Sequence, residues 1–141
     1  MAAPALSAVH AIAAWLLILV VAIANGGLRE AVLVPRFGRS VGTSISGVLL
    51  IAAVFIVAWL MQRWRQPRDA NQSWRIGLAW FAATVVFEFS FGFLQGKGWS
   101  ELLSAYTFAE GNLWPLVLLA LAVSPYLCRP GHGRGPESNR R

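Results

Sequence analysis

The chain predicts an all-α integral membrane protein, a four-helix bundle with short interfacial helices between its spans. Three observations carry this. The 141 residues are 57% hydrophobic and only 13% charged, where a soluble domain carries about 25% charged residues. The apolar residues gather in four long blocks and lack amphipathic spacing. Eight of the eleven Arg residues fall between the second and third blocks (Arg63, Arg65, Arg68, Arg75) or at the end of the chain (Arg129, Arg134, Arg140, Arg141).

That last distribution gives the net charge of +6 its meaning. No basic helix face or aromatic-basic platform supports nucleic-acid binding. Arginine beside apolar blocks marks the cytoplasmic side of a membrane. The chain therefore divides into a transmembrane domain over 1–128 and a basic cytoplasmic tail over 129–141, flexible because Pro130, Gly131, Gly133, Gly135 and Pro136 interrupt any helix.

The first span is expected over about residues 7–24. Ala22-Ile23-Ala24 has the form of a signal-peptidase site, but no Lys or Arg precedes the apolar run, so a retained helix is expected. Asn25-Gly26-Gly27 then predicts a break, and Leu28–Val34 a short interfacial helix stopped by Pro35. The second span covers about 41–61. Gly38, Gly42 and Ser46 at its entry form a spacing-four stripe of small residues that lets another helix approach.

Gln62–Trp74, with Pro67, reads as a polar cytoplasmic loop before a third span at about 75–95. Gly92 and Gly96 repeat the spacing-four motif there. A second interfacial helix is expected near Ser100–Tyr106, with Trp99, Leu102, Leu103 and Tyr106 on one side. The fourth span, about 112–127, has Asn112 as a cap, Pro115 in its first turn, and Pro125 bending its last. An even span count puts both termini and the middle loop in the cytoplasm, with Trp59, Trp64 and Trp74 at the inner interface and Trp99 and Trp114 at the outer one. Arg29, Arg36 and Arg39 resist this scheme, since they lie in the first outer connection.

Glu88 is the most informative residue. It sits in an otherwise uncharged span, where an ionisable group costs roughly 2.5–3.5 kcal/mol and normally faces the protein with a partner. On a helix, Glu88 shares a strip with Phe81, Gly92 and Gln95, walled by Phe87 and Phe91 on one side and Phe89 and Phe93 on the other. Asn25 lies at the same depth and completes a possible binding groove. Arg29 is the expected counter-charge, with Arg36 second. Two readings follow: a structural Arg29–Glu88 clasp, or a carboxylate that binds a proton or ligand. The available arginine, and the lack of a second buried acid for a relay, favour the clasp.

Other chemistry finds little support. His10 and His132 lie far apart and beside no acidic cluster, and Cys128 is the only cysteine. No metal, haem or other cofactor is expected, and no serine has a plausible histidine base.

Three motifs carry a family resemblance: Asn25-Gly26-x-x-Arg29-Glu30 followed by Pro35 and Gly38; Phe87-Glu88-Phe89-x-Phe91-Gly92; and Trp99-x-x-Leu102-Leu103-x-x-Tyr106 followed by Gly111-x-Leu113-Trp114. In order and spacing they resemble a family of small four-span bacterial inner-membrane proteins of uncharacterised function. Phe93 departs from the pattern, which has a polar or basic residue after Gly92. The resemblance implies topology and a bacterial inner membrane, and carries no activity with it. The function expected from the sequence is a non-enzymatic accessory or assembly partner, in contact with lipid and part of a homo-oligomer or larger membrane complex. The alternative is an oligomeric proton-coupled small-solute transporter or ion channel that uses Glu88.

Overall fold

A computed structural model describes residues 7–65, 69–104, 106–108 and 111–129. The described residues are helical, without strands: α1 (Ala8–Leu28), a π-helical segment (Arg29–Leu33), α2 (Val34–Phe37), α3 (Arg39–Trp64), α4 (Ala70–Leu94), α5 (Trp99–Ser104) and α6 (Trp114–Leu127). Three stretches are long and apolar enough to cross a membrane: Ala8–Phe37, Arg39–Trp64 and Ala70–Leu94. At 14 residues, α6 is shorter and rises about 21 Å. The expected tail beyond Arg129, and Pro67 of the middle loop, lie outside the described residues.

The chain does not break at Asn25-Gly26-Gly27, as the sequence suggested. The helix runs through both glycines, and the N–H of Arg29 bonds back to the carbonyls of Asn25 and Gly26. In lipid, a break would strand backbone polar groups that water could otherwise satisfy, a cost larger than the entropy of two glycines. The expected interfacial helix at Leu28–Val34 is thus a continuation of the first span. Its π turn lies just ahead of Pro35, where a wider turn gives the proline ring room that an α-turn denies. Pro35 lies in the first turn of α2 instead of ending a helix. The reversal comes at Gly38, whose φ of 85° suits glycine alone.

Residue size is distributed as membrane packing requires. The outward face of α1 carries Val9, Ile12, Leu16, Val20 and Ile23, all exposed, while Ala11, Ala14 and Ile18 turn inward. Large apolar surface of this extent is foreign to a soluble monomer, and small residues inside let backbones approach. On α3 the buried stripe runs Gly42, Ser46, Leu50, Val54, Ala58, Gln62 at intervals of four. A Cβ on Gly42 would stand 2.8 Å from the backbone of Leu33 and Val34, so the expected close approach is made there, against the π segment. Gly38 instead makes the turn, and Gly96 meets no neighbour at all.

In space the four long helices run α1, α3, α6, α4, with neighbours in that order packed together. Gly77 of α4 lies so close to the Ala122 carbonyl of α6 that a Cβ has no room. The backbones of α1 and α4 stay apart and are joined by indoles. Trp15 Nε1–H donates to Thr84 Oγ1 at 3.0 Å, and Trp80 Nε1–H donates to the Ala11 carbonyl at 3.0 Å. These side chains form part of the core, with Val54, Ala58, Leu118 and Leu121.

At the far end, Gln62 and Ser73 are fully buried, although the sequence placed both in a solvated loop. Gln62 Nε2–H donates to the Pro125 carbonyl. Trp74 stacks on Tyr126 at 5.0 Å, and the Arg129 guanidinium lies 4.9 Å over the same ring.

Two glycine substitutions separate close packing from backbone propensity. Gly77→Ala is expected to lower stability by about 1–3 kcal/mol, because the α4–α6 backbones must part. Gly27→Ala, with open space around it, is expected to raise it by about 0.5–1 kcal/mol. Denaturation of the purified variants in detergent micelles measures both, and equal destabilisation would contradict the packing described.

Candidate functional site: a cavity built around Glu88

The gap between α1 and α4 is closed midway by Trp15, Thr84 and Trp80, which leaves a cavity on either side. One, of about 430 Å³, lies toward the C-terminal ends of α1 and α4 and contains Glu88. The other, of about 460 Å³, lies toward their N-terminal ends and is lined by Ala11, Ile12, Gln72, Arg75, Ile76 and others. Trp15 borders both.

The Glu88 cavity grades from apolar to polar. Ile18, Leu50, Val117 and Leu121 form its deep part; Asn25, Arg29, Gln95, Lys97, Glu101 and Asn112 lie toward its mouth. Along α4 the lining runs from Thr84 toward the helix end at Leu94, a rise of about 15 Å at 1.5 Å per residue, with Gln95 and Lys97 just beyond it. Asn25, Gly92 and Gln95 line it as the sequence suggested, but Phe81 does not. Phe81 falls on the far side of the Thr84 floor and is exposed. Phe87 and Phe91, stacked at 5.7 Å, form an aromatic wall. Phe89 and Phe93 turn away and join Trp99 in an aromatic cluster, with Phe89 also stacked on Tyr106 at 5.7 Å.

Glu88 is half-buried, and its partners are not those expected. Tyr106 O–H donates to Glu88 Oε2 at 3.0 Å, and Trp114 Nε1–H donates to the same oxygen at 2.8 Å. Oε1 accepts from no described residue. The anticipated salt bridge to Arg29 is absent: Arg29 Nε–H bonds Glu30 Oε1 at 3.1 Å, and Arg39 stands 3.7 Å from Glu30 Oε2. A neighbour in sequence captures the arginine more cheaply than a carboxylate on another helix. Glu30 also accounts for two of the three arginines that resisted the orientation scheme. Tyr106 and Trp114, read from sequence as interface residues, are the ligands of the carboxylate. Burial, and then the adjacent carboxylate, push the Tyr106 phenol up from its ordinary range, which keeps it a donor.

Local structure at both walls fixes this geometry. On α4, Gly92 is buried under Leu102 of α5, and that contact folds the α5 segment back over the helix end. The Gly96 N–H bonds the Phe93 carbonyl and the Lys97 N–H bonds the Gly92 carbonyl, each at 3.0 Å. With φ of 82° at Gly96, this is a Schellman ending, and it brings Lys97 to the cavity mouth. Asn112 Oδ1 accepts from the Trp114 N–H at 3.1 Å and Pro115 follows in the first turn of α6, but the N-cap position expected for Asn112 is taken by Leu113. On α1, Asn25 Nδ2–H reaches Ser46 Oγ at 2.8 Å and its carbonyl at 3.0 Å. Ser44 Oγ–H donates to the Gly111 carbonyl at 3.0 Å, tying α3 to the connection that delivers Trp114. Among the described residues, no three of His, Cys, Asp and Glu gather as a metal site would require.

No family model matches the chain, and neither a curated protein nor a solved structure does.

The two donors to Glu88 can be weighed by mutant cycles. Tyr106→Phe and Trp114→Phe are each expected to cost stability, up to about 1.5–3 kcal/mol for a bond to a charged acceptor. Both costs should fall toward zero once Glu88 is replaced by Leu. Costs unchanged in the Glu88→Leu background would show that the rings act through packing alone.

Proposed function

We propose that this chain is a four-span protein of the bacterial inner membrane, both termini cytoplasmic, that works as a carrier with Glu88 as its proton- and ligand-binding group. The observation that carries this is the coordination of Glu88. A clasp between helices would hold the carboxylate against a cation; here two neutral donors hold it on one oxygen, beside a cavity. A carboxylate so placed can exchange a proton or accept a ligand without first breaking an ion pair. The paired cavities on either side of the Trp15–Thr84–Trp80 layer support the carrier reading over that of an accessory protein. One chain supplies every lining residue described for the cavity.

Span count and orientation rest on α6 crossing together with Gly111–Leu113, and on arginine at the Arg63–Arg75 end. Cysteine at Asn71 and at Ser104, both exposed, should label from opposite sides of the membrane in a Cys128→Ser background. Labelling of both from one side would refute the topology.

The carrier reading is tested in proteoliposomes of phosphatidylethanolamine and phosphatidylglycerol with an imposed pH gradient. Wild type is expected to dissipate the gradient faster than empty vesicles, and Glu88→Gln to lose at least tenfold of that rate while melting as wild type does. Equal rates for the two proteins, or no flux together with co-purification of a larger membrane complex, would overturn it in favour of the accessory reading.

A further inference from the structure

We infer that the Glu88 cavity takes a small aralkyl ammonium ion, its N–H on the open carboxylate oxygen and its apolar body on the floor below. The inference rests on the reading of Glu88 as a proton- and ligand-binding group and adds the chemical class of the ligand.

The sign of the ligand follows from the charges in the lining. Four charged residues border the cavity: Arg29 of the π-helical segment, Glu88 of α4, and Lys97 and Glu101 at the mouth. The residues of α3 and α6 that line it bring no charge. Arg29 is already matched, its Nε–H on Glu30 Oε1 at 3.1 Å, and Arg39, which shares Glu30, does not line the cavity. Lys97 and Glu101 are exposed and of opposite sign, so water screens them and their effects oppose each other. Glu88 is left as the half-buried charge. Its Oε2 accepts from Tyr106 and Trp114, both neutral, and Oε1 accepts from no described residue. A desolvated carboxylate with an open oxygen is costly until a proton or a cation reaches it. An anion would meet it as a like charge, and a neutral molecule would leave it unmatched. An inorganic ion would find one carboxylate and, among the described residues, no cluster of ligating side chains. An ammonium N–H matches the charge and adds a charge-assisted hydrogen bond.

The body of the ligand follows from what lies below the carboxylate. Thr84, at the floor, stands one helical turn from Glu88, about 6 Å along the axis. Ile18, Leu50, Val117 and Leu121 offer no polar side-chain atom there, and Trp15, Phe87, Phe91 and Trp114 add aromatic rings to the lining. One ring on a short alkyl link spans a helical turn, and aromatic walls favour a cation stripped of water. The cavity volume of about 430 Å³ lies in the range of small-ligand sites, about 300–1,000 Å³. Proton and ammonium compete for the same oxygen. Where Glu88 holds a proton, binding of the ammonium must release it to water, so the two are exchanged one for one.

Isothermal titration of the purified full chain in detergent tests the assignment. The probes are phenethylamine, its neutral counterpart phenethyl alcohol, and the anion phenylacetate. Wild type should bind phenethylamine at least about tenfold more tightly than either of the others. Its affinity should weaken as pH falls, by up to about tenfold per unit on the limb where Glu88 is protonated, with proton release on binding. Glu88→Gln should lose both the preference and the pH dependence. Glu88→Asp, which keeps the charge, should keep both, so the outcome does not depend on one variant's folding. Arg29→Gln should not weaken phenethylamine binding. Equal binding of phenethylamine and phenethyl alcohol by wild type, tighter binding of phenylacetate, or a preference that survives in Glu88→Gln would overturn the inference. Proton flux lost in Glu88→Gln without any ammonium preference would sink this inference alone; a Glu88-dependent ammonium preference without flux would sink the carrier reading alone.

Discussion

The separation of α1 from α4 is the constraint on which the remaining architecture depends. Their backbones are joined through two indole N–H groups, one meeting the Thr84 hydroxyl and the other the Ala11 carbonyl. An indole is wide, and it brings a single polar hydrogen that must find an acceptor when buried. It therefore spaces the helices apart while fixing their register at one level. Above and below that level lie the two cavities. The two cavities and the placement of Glu88 beside one of them follow from this single layer of bridges.

The coordination of Glu88 follows a related economy. An arginine from another helix would have to leave Glu30, its immediate neighbour, and both charges would be desolvated on the way. Tyr106 and Trp114 supply donors without adding charge. They arrive because α5 folds back on Gly92 and because Gly111, at φ 77°, turns the chain against Ser40 and Ser44. The site is thus assembled by glycines, one of which, Gly92, lines it. Gly92, Gly96 and Gly111 carry no chemistry, yet each sets the path that presents a donor or a cation to the cavity.

The helical class was legible because composition and block length are global properties that no local detail reverses. Glu88 stood out for the same reason: a carboxylate among apolar residues is conspicuous however the helix is turned. Its partners were not legible. Tyr106 and Trp114 lie 18 and 26 residues away, and the aromatic type that hydrogen-bonds a buried acid is also the type that anchors at an interface. The Asn25-Gly26-Gly27 break was misjudged because turn propensities describe chains that can turn toward water. Gln62 and Ser73 were misjudged because polar residues near arginines resemble a loop, although the spacing-four stripe from Gly42 reaches Gln62 without interruption. Gly96 was taken for a packing residue, while its place just after the last helical turn was the available signal for a Schellman ending.

The indole layer between α1 and α4 also acts as a partition. Trp15 borders both cavities, so one ring is a wall of two chambers at once. A shift of that ring along the seam would enlarge one chamber at the expense of the other. The hydrogen bonds that hold the helices at their spacing therefore also fix how the space between them is divided.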